Sequence, residues 1–165
     1  SSTRAARLAQ RIEEGAATLA AYAQGLSEAQ WAATVSPDGR KVGVIVNHVA
    51  SVYPIEIHLA KEIAAGRSVE GVTWAAVADM NAQHASDNAT AGKGETIALL
   101  KANAKVAADA VRSLSDAELD SAAPFSLNAG APLTAQFVIE DHALRHSWHH
   151  LAKIKAALTA LATAA

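Results

Sequence analysis

The sequence predicts an all-α fold, a four-helix bundle, on three observations. Alanine dominates an apolar fraction of 51%, and alanine is the best helix former. Aromatic residues make up only 4% and β-branched residues never cluster into an alternating run, so a sheet protein is not expected. Apolar residues recur at helical spacing in long stretches punctuated by Gly and Pro. The length of 165 residues fits one domain, expected to span residues 1–165.

The first helix is expected from about Thr3 to Gln24, with Leu8, Ile12, Leu19 and Tyr22 at helical spacing and Gly25 as its stop. The second runs from about Gly43 to Ala65, ended by Gly66. A shorter extra helix, from about Thr73 to Ala85, crosses between the halves. The third main helix runs from about Glu95 to Ser113. The fourth begins near Thr134, after Pro132, and continues to about Ala162. Two short segments resemble each other: Leu26-Ser27-Glu28-Ala29-Gln30-Trp31 and Leu114-Ser115-Asp116-Ala117-Glu118-Leu119. Each has the capping-box pattern, Ser followed three residues later by Gln or Glu, and so starts a brief helical turn. Each leads through a Pro-containing loop (Pro37, or Pro124 and Pro132) into a His-bearing helix. The chain therefore reads as two similar halves, although Leu-Ser-acidic is equally an ordinary cap signal. Pro54 falls inside the second helix, where it removes one backbone bond and clashes with the carbonyl of Ala50.

Charge and composition exclude several functions. With 14 basic and 16 acidic side chains the formal charge is -2, so no basic face is expected and no nucleic-acid partner. The absence of Cys rules out disulfides, cysteine-bearing zinc sites and a cysteine nucleophile. No apolar stretch approaches the roughly 20 residues of a membrane span, so no membrane partner is expected. The start, Ser1-Ser2-Thr3-Arg4, shows no signal-peptide core. The cytoplasm is the expected compartment. Gly92-Lys93-Gly94-Glu95-Thr96 lacks the full phosphate-loop spacing. No Glu-x-x-His occurs, which argues against a di-iron carboxylate bundle, and no His-Glu-x-x-His marks a metalloprotease.

The seven histidines differ in placement. On a helical wheel, Val44, Val52, Ile55 and Leu59 fall within about 40° of His48, which puts His48 at the centre of an apolar face. His58 falls to one side, near Asn47, Ser51 and Pro54, as a surface residue. His146 and His150 are spaced i, i+4 on a face shared with Ile139, Ala143, Ile154 and Ala157. His142 and His149 point toward Arg145 and Lys153 and read as exposed, with His149 placed to steady its neighbour His150. His84 has no evident partner. Unpaired buried imidazoles cost roughly 1–3 kcal/mol each, so three on two helices invite a shared divalent metal. Three protein ligands leave one coordination position open, the catalytic type of site. The residues alone leave the alternative standing: a core histidine bonded to a carbonyl, beside a chance His-x-x-x-His. Trp74 and Trp148 are candidates for a pocket wall or for the core.

Beyond spacing, the chain resembles the DinB-like superfamily, which includes YfiT-type hydrolases and thiol-dependent S-transferases. The resemblance rests on Leu26–Trp31, on the turn Ser36-Pro37-Asp38-Gly39-Arg40, on Val44-Ile45-Val46-Asn47-His48-Val49-Ala50 and on His146-Ser147-Trp148-His149-His150-Leu151. It implies a four-helix bundle with a metal triad, carried here by His48, His146 and His150. Many members follow the last His with Arg-Gly-Gln, where this chain has Leu151-Ala152-Lys153, which leaves the subfamily and substrate open.

The resemblance implies a divalent-metal-dependent transferase that uses a low-molecular-weight thiol of the bacillithiol, mycothiol or glutathione type on a small molecule. Zinc is the first metal expected, then nickel or iron. The alternatives are a metal-dependent hydrolase at the same site and a non-catalytic stress-related binding protein of the same fold. A hydrolase needs a general base, for which only Glu140 and Asp141 lie near in sequence. A homodimer is implied by the family alone; no residues mark a dimer face.

Overall fold

A computed structural model of the chain describes residues 2–164. The termini of the expected domain, Ser1 and Ala165, lie outside the described residues. Helix α1 (Thr3–Gln24) starts where the Ser2 side chain accepts the Ala5 N–H, and it buries Leu8, Ile12 and Leu19 along one stripe. The single-turn helix α2 (Glu28–Trp31) follows, closed by a reciprocal capping box between Ser27 and Gln30. Next come α3 (Val42–Ala64), α4 (Trp74–Asp87) and α5 (Lys93–Arg112). The short α6 (Asp116–Asp120) repeats the capping box with Ser115 and Glu118. The final helix is built in three pieces: α7 (Ala135–Val138), a π-helical turn over Ile139–Leu144, and α8 (Arg145–Ala164). Thr134 caps it by accepting from Phe137 N–H. The four long helices α1, α3, α5 and α7–α8 form the bundle, and α4 is the expected extra helix between the second and third.

Between α6 and α7 the structure adds what the composition argued against, a two-stranded antiparallel hairpin of β1 (Ala122–Phe125) and β2 (Ala131–Thr134). Pro124 and Pro132 face each other in its register. Proline cannot donate to a ladder, which is why these segments read as loop and why they sit in a small edge hairpin. Pro124 still contributes its carbonyl, accepting the Val69 N–H at 2.9 Å.

Helix α3 is the central element. From Val42 to Ala50 every residue is buried, Asn47 and His48 included. At 23 residues, with a mean hydropathy of 1.3 in its most apolar window, α3 is long and apolar enough to cross a membrane. This corrects the expectation that no stretch comes near that length; 72% of the window is buried inside the bundle, which accounts for its composition.

Two local features let the helices close on one another. Gly15 in α1 faces α8, and a Cβ there would lie 2.5 Å from Ser147 Oγ and 2.8 Å from Trp148 Nε1. Glycine costs a helix interior about 1 kcal/mol, and here it lets the backbone of α1 approach the residues flanking His146. The second feature concerns Pro54, which leaves α3 unbroken. The carbonyl of Ala50, robbed of its partner by Pro54, accepts instead from Asn103 Nδ2 of α5 at 2.8 Å.

Replacing Asn103 therefore orphans a buried carbonyl. Asn103→Ala is expected to cost about 1–2 kcal/mol in chemical denaturation. In a Pro54→Ala background, where residue 54 again supplies an N–H, the same change is expected to cost less than half as much. Equal costs in the two backgrounds would dissociate Asn103 from the proline.

Candidate metal centre

His48 lies in the second turn of α3 and His146 opens α8, immediately after the π turn. Their Nε2 atoms are 3.2 Å apart. His150 Nε2 lies 2.9 Å from His146 Nε2. The three ring nitrogens thus converge on one point, all within 4.8 Å of one another. Four-coordinate ligands about 2.0–2.1 Å from an ion stand roughly 3.3 Å apart, so only a small outward shift separates this cluster from a ligand set. Polar atoms left without partners point the same way: His48 Nδ1, His146 Nδ1 and Glu56 Oε1 are buried and make no hydrogen bond. The residues present fit a divalent cation.

The electrostatics also suit a cation. Burial lowers the His48 pKa to about 4 and the His150 pKa to about 3, helped at His150 by the neighbouring histidines. The His146 pKa is lower still, for burial first and for the repulsion of His150 and His48 second. All three imidazoles are therefore neutral at pH 7, the form that ligates.

Glu56, two turns beyond His48 on α3, is a residue that sequence reasoning missed. Its Oε2 lies 3.8 Å from His146 Nδ1. Burial pushes its pKa up to about 8, opposed by the charge of Arg145. With both partners neutral the contact is not an ion pair in the metal-free protein. The available signal was a lone carboxylate inside the apolar run Tyr53-Pro54-Ile55-Glu56-Ile57. Behind His48 lies a second missed group. Asn47 donates to Thr96 Oγ1 at 3.1 Å and its Oδ1 stands 2.8 Å from His84 Nε2. Asn47 is thus buried rather than on the polar side expected of it, and His84 has the partner the sequence did not reveal.

The remaining expectations divide. His58 is exposed. His142 is not: it is half-buried, its ring stands 5.5 Å edge-on from Phe125, and it lines the cleft above the triad. Four residues before His146, His142 falls only about 40° from it on the helical wheel, on the side that meets the cleft. His149 is half-buried too, its ring 5.0 Å from that of His150. Glu140 pairs with Arg11 of α1 at 3.1 Å, away from the cleft, whereas Asp141 lines it. Trp74 forms part of the cleft wall; Trp148 lies instead against α1 at Gly15.

Residues 11–154 match the DinB superfamily. The chain belongs to the DinB superfamily. Among solved structures it resembles YfiT from Bacillus subtilis, described as a probable metal-dependent hydrolase with an unusual four-helix bundle topology. The TM-score is 0.75 at 19% identity, over 98% of this chain and 90% of that one. At that identity the likeness shows the shared DinB-like fold. Among curated proteins none matches the chain.

Two outcomes are expected for this DinB-family site. Protein prepared without chelator should carry about one divalent ion per chain by elemental analysis. His48→Ala, His146→Ala or His150→Ala should each abolish that loading, while His84→Ala and His142→Ala should retain it. The second outcome concerns pH. The folded-state pKa values of His48 and His150 lie below the ordinary 6.5. Between about pH 6.5 and 4 the unfolded chain therefore binds more protons than the native one, and their contribution to stability is lost as pH falls through that window. The melting temperature of metal-free protein should fall by several degrees from pH 6.5 to 4.5, and by less in His150→Phe. Glu56 works in the opposite direction: its raised pKa makes its contribution fade as pH climbs toward 8.

Proposed function

We propose that the protein is a metal-dependent enzyme that joins an external low-molecular-weight thiol to an electrophilic small molecule. The observation that carries this reading is the meeting of three neutral imidazole nitrogens at an open cleft of about 430 Å³. That volume falls in the usual range for small-molecule pockets, roughly 300–1,000 Å³. His48, His146 and His150 would hold one divalent ion, zinc first and nickel or iron next. Such an ion lowers the pKa of a thiol or a water at its open position. The chain contains no Cys, so the sulfur would come from a thiol of the bacillithiol, mycothiol or glutathione type.

The chain's own groups have distinct tasks in this reading. The three histidines stay unprotonated because they are buried. Glu56 faces Nδ1 of His146, and by accepting that N–H it would fix the tautomer that turns Nε2 toward the ion. The apolar flank of the cleft keeps water from one side of the reacting groups.

One observation favours a second reading, a metal-dependent hydrolase. Glu56 lines the same cleft and has a pKa raised to about 8, which suits proton exchange near neutral pH. A cation held by the histidines would lower that pKa, and Glu56, then ionised, is the general-base candidate that Glu140, paired elsewhere, does not supply.

Turnover experiments separate the two. Metal-loaded protein is expected to conjugate a chlorinated aromatic or an epoxide only when bacillithiol, mycothiol, glutathione or coenzyme A is added, with metal-stripped protein inactive. Ester or amide hydrolysis at an unchanged rate without thiol, abolished in Glu56→Gln, would establish the hydrolase instead.

A further inference from the structure

The cleft has two unlike walls. Its apolar side comes from Val52, Ile55 and Leu59 of α3 and from Trp74, Val77 and Met80 of α4. Ile55 is 42% exposed, Trp74 60% and Met80 39%. Singly exposed apolar side chains are ordinary, but several gathered along one cleft mark a ligand-binding groove. None of the residues of α4 is buried, yet the helix stays docked: Trp74 Nε1 donates to the Leu127 carbonyl at 2.9 Å, and His84 meets Asn47. Of its large apolar residues only Val77 also packs against the core; Trp74 and Met80 stay open to water at the cleft.

The opposite wall is a polar stripe on the last helix. Asp141, Arg145, His149 and Lys153 recur every four residues along it and all border the cleft. Most charges there are already answered. Arg145 Nε lies 3.3 Å from Asp141, and Arg40 makes two bonds of 2.7 Å to Asp38 within the turn that borders the cleft. Lys153 is exposed and has no ion pair among the described residues. It stands three residues beyond His150 on the same helix and borders the same cleft.

We propose that the molecule processed in this cleft is amphipathic, with an apolar or aromatic body against the α3–α4 wall and an anionic group, such as a carboxylate, held by Lys153. This deepens the reading of a small-molecule enzyme and rests on it for the identity of the site. The apolar wall supplies affinity and Lys153 supplies orientation, fixing which end of the molecule reaches the histidines.

Calorimetric titration of the metal-loaded protein with 4-phenylbutyrate, 4-phenylbutanol and butyrate tests it. Phenylbutyrate is expected to bind about fivefold or more tightly than either of the others. Lys153→Gln should bring phenylbutyrate down to the affinity of the alcohol and leave the alcohol unchanged. Trp74→Ala should weaken both aromatic probes and spare butyrate. The Lys153 effect should persist after the metal is stripped, so it stands or falls separately from metal loading and thiol turnover. Equal binding of acid and alcohol, or a carboxylate preference that survives Lys153→Gln, would overturn the proposal; the second result would hand the anion to the ion or to an arginine.

Discussion

Two distances organise this molecule: 3.2 Å from His146 Nε2 to His48 and 2.9 Å to His150. Ring nitrogens this close repel if charged, so the cluster exists only where burial keeps every imidazole neutral. That burial in turn requires α3 to be wrapped on nearly all sides over its first turns, with α8 drawn in tightly enough to bring His146 against it. Gly15 permits the approach from the α1 side. Asn103 pays the backbone debt that Pro54 leaves in α3 just past the site.

Around the triad, the fold separates its resources. Aliphatic burial among α1, α3 and α5 makes the rigid part of the bundle. The hairpin adds Ala123 and Phe125 to that core, whereas α4, which has no buried residue, raises one wall of the cleft. The last helix connects the two, because the four-residue spacing of His142, His146 and His150 brings all three to the cleft. Glu56 adds a carboxylate where the surroundings are apolar, and so couples a proton to the state of His146. The same placement would serve a ligand-orienting role in the transferase reading and a base in the hydrolase reading.

The histidines show how much of the site could be read from the chain. His48, His146 and His150 stood out because two periodic patterns, one on each helix, turned them toward apolar neighbours. His142 was misplaced because it was grouped with Arg145, although at about 100° per residue it falls only about 40° from His146. Asn47 was misplaced because the wheel assumed one wet face on α3, and that helix has none near its start. Glu56 went unmarked because its importance lies in a contact across to another helix.

Local sequence determined the helices, their caps and their stops. Capping boxes at Ser27 and Ser115, the alanine-rich stretches and the spacing of His146 and His150 all act within one or two turns of chain, where hydrogen bonding and side-chain periodicity are settled. Tertiary structure alone decided that Asn103 would answer Ala50, that Trp74 and Met80 would face a cleft, that Lys153 would border it with no ion pair among the described residues, and that two prolines would pair across a hairpin. Each of these depends on surfaces distant in sequence being brought together, and burial and close packing act on that meeting rather than on any segment of the chain.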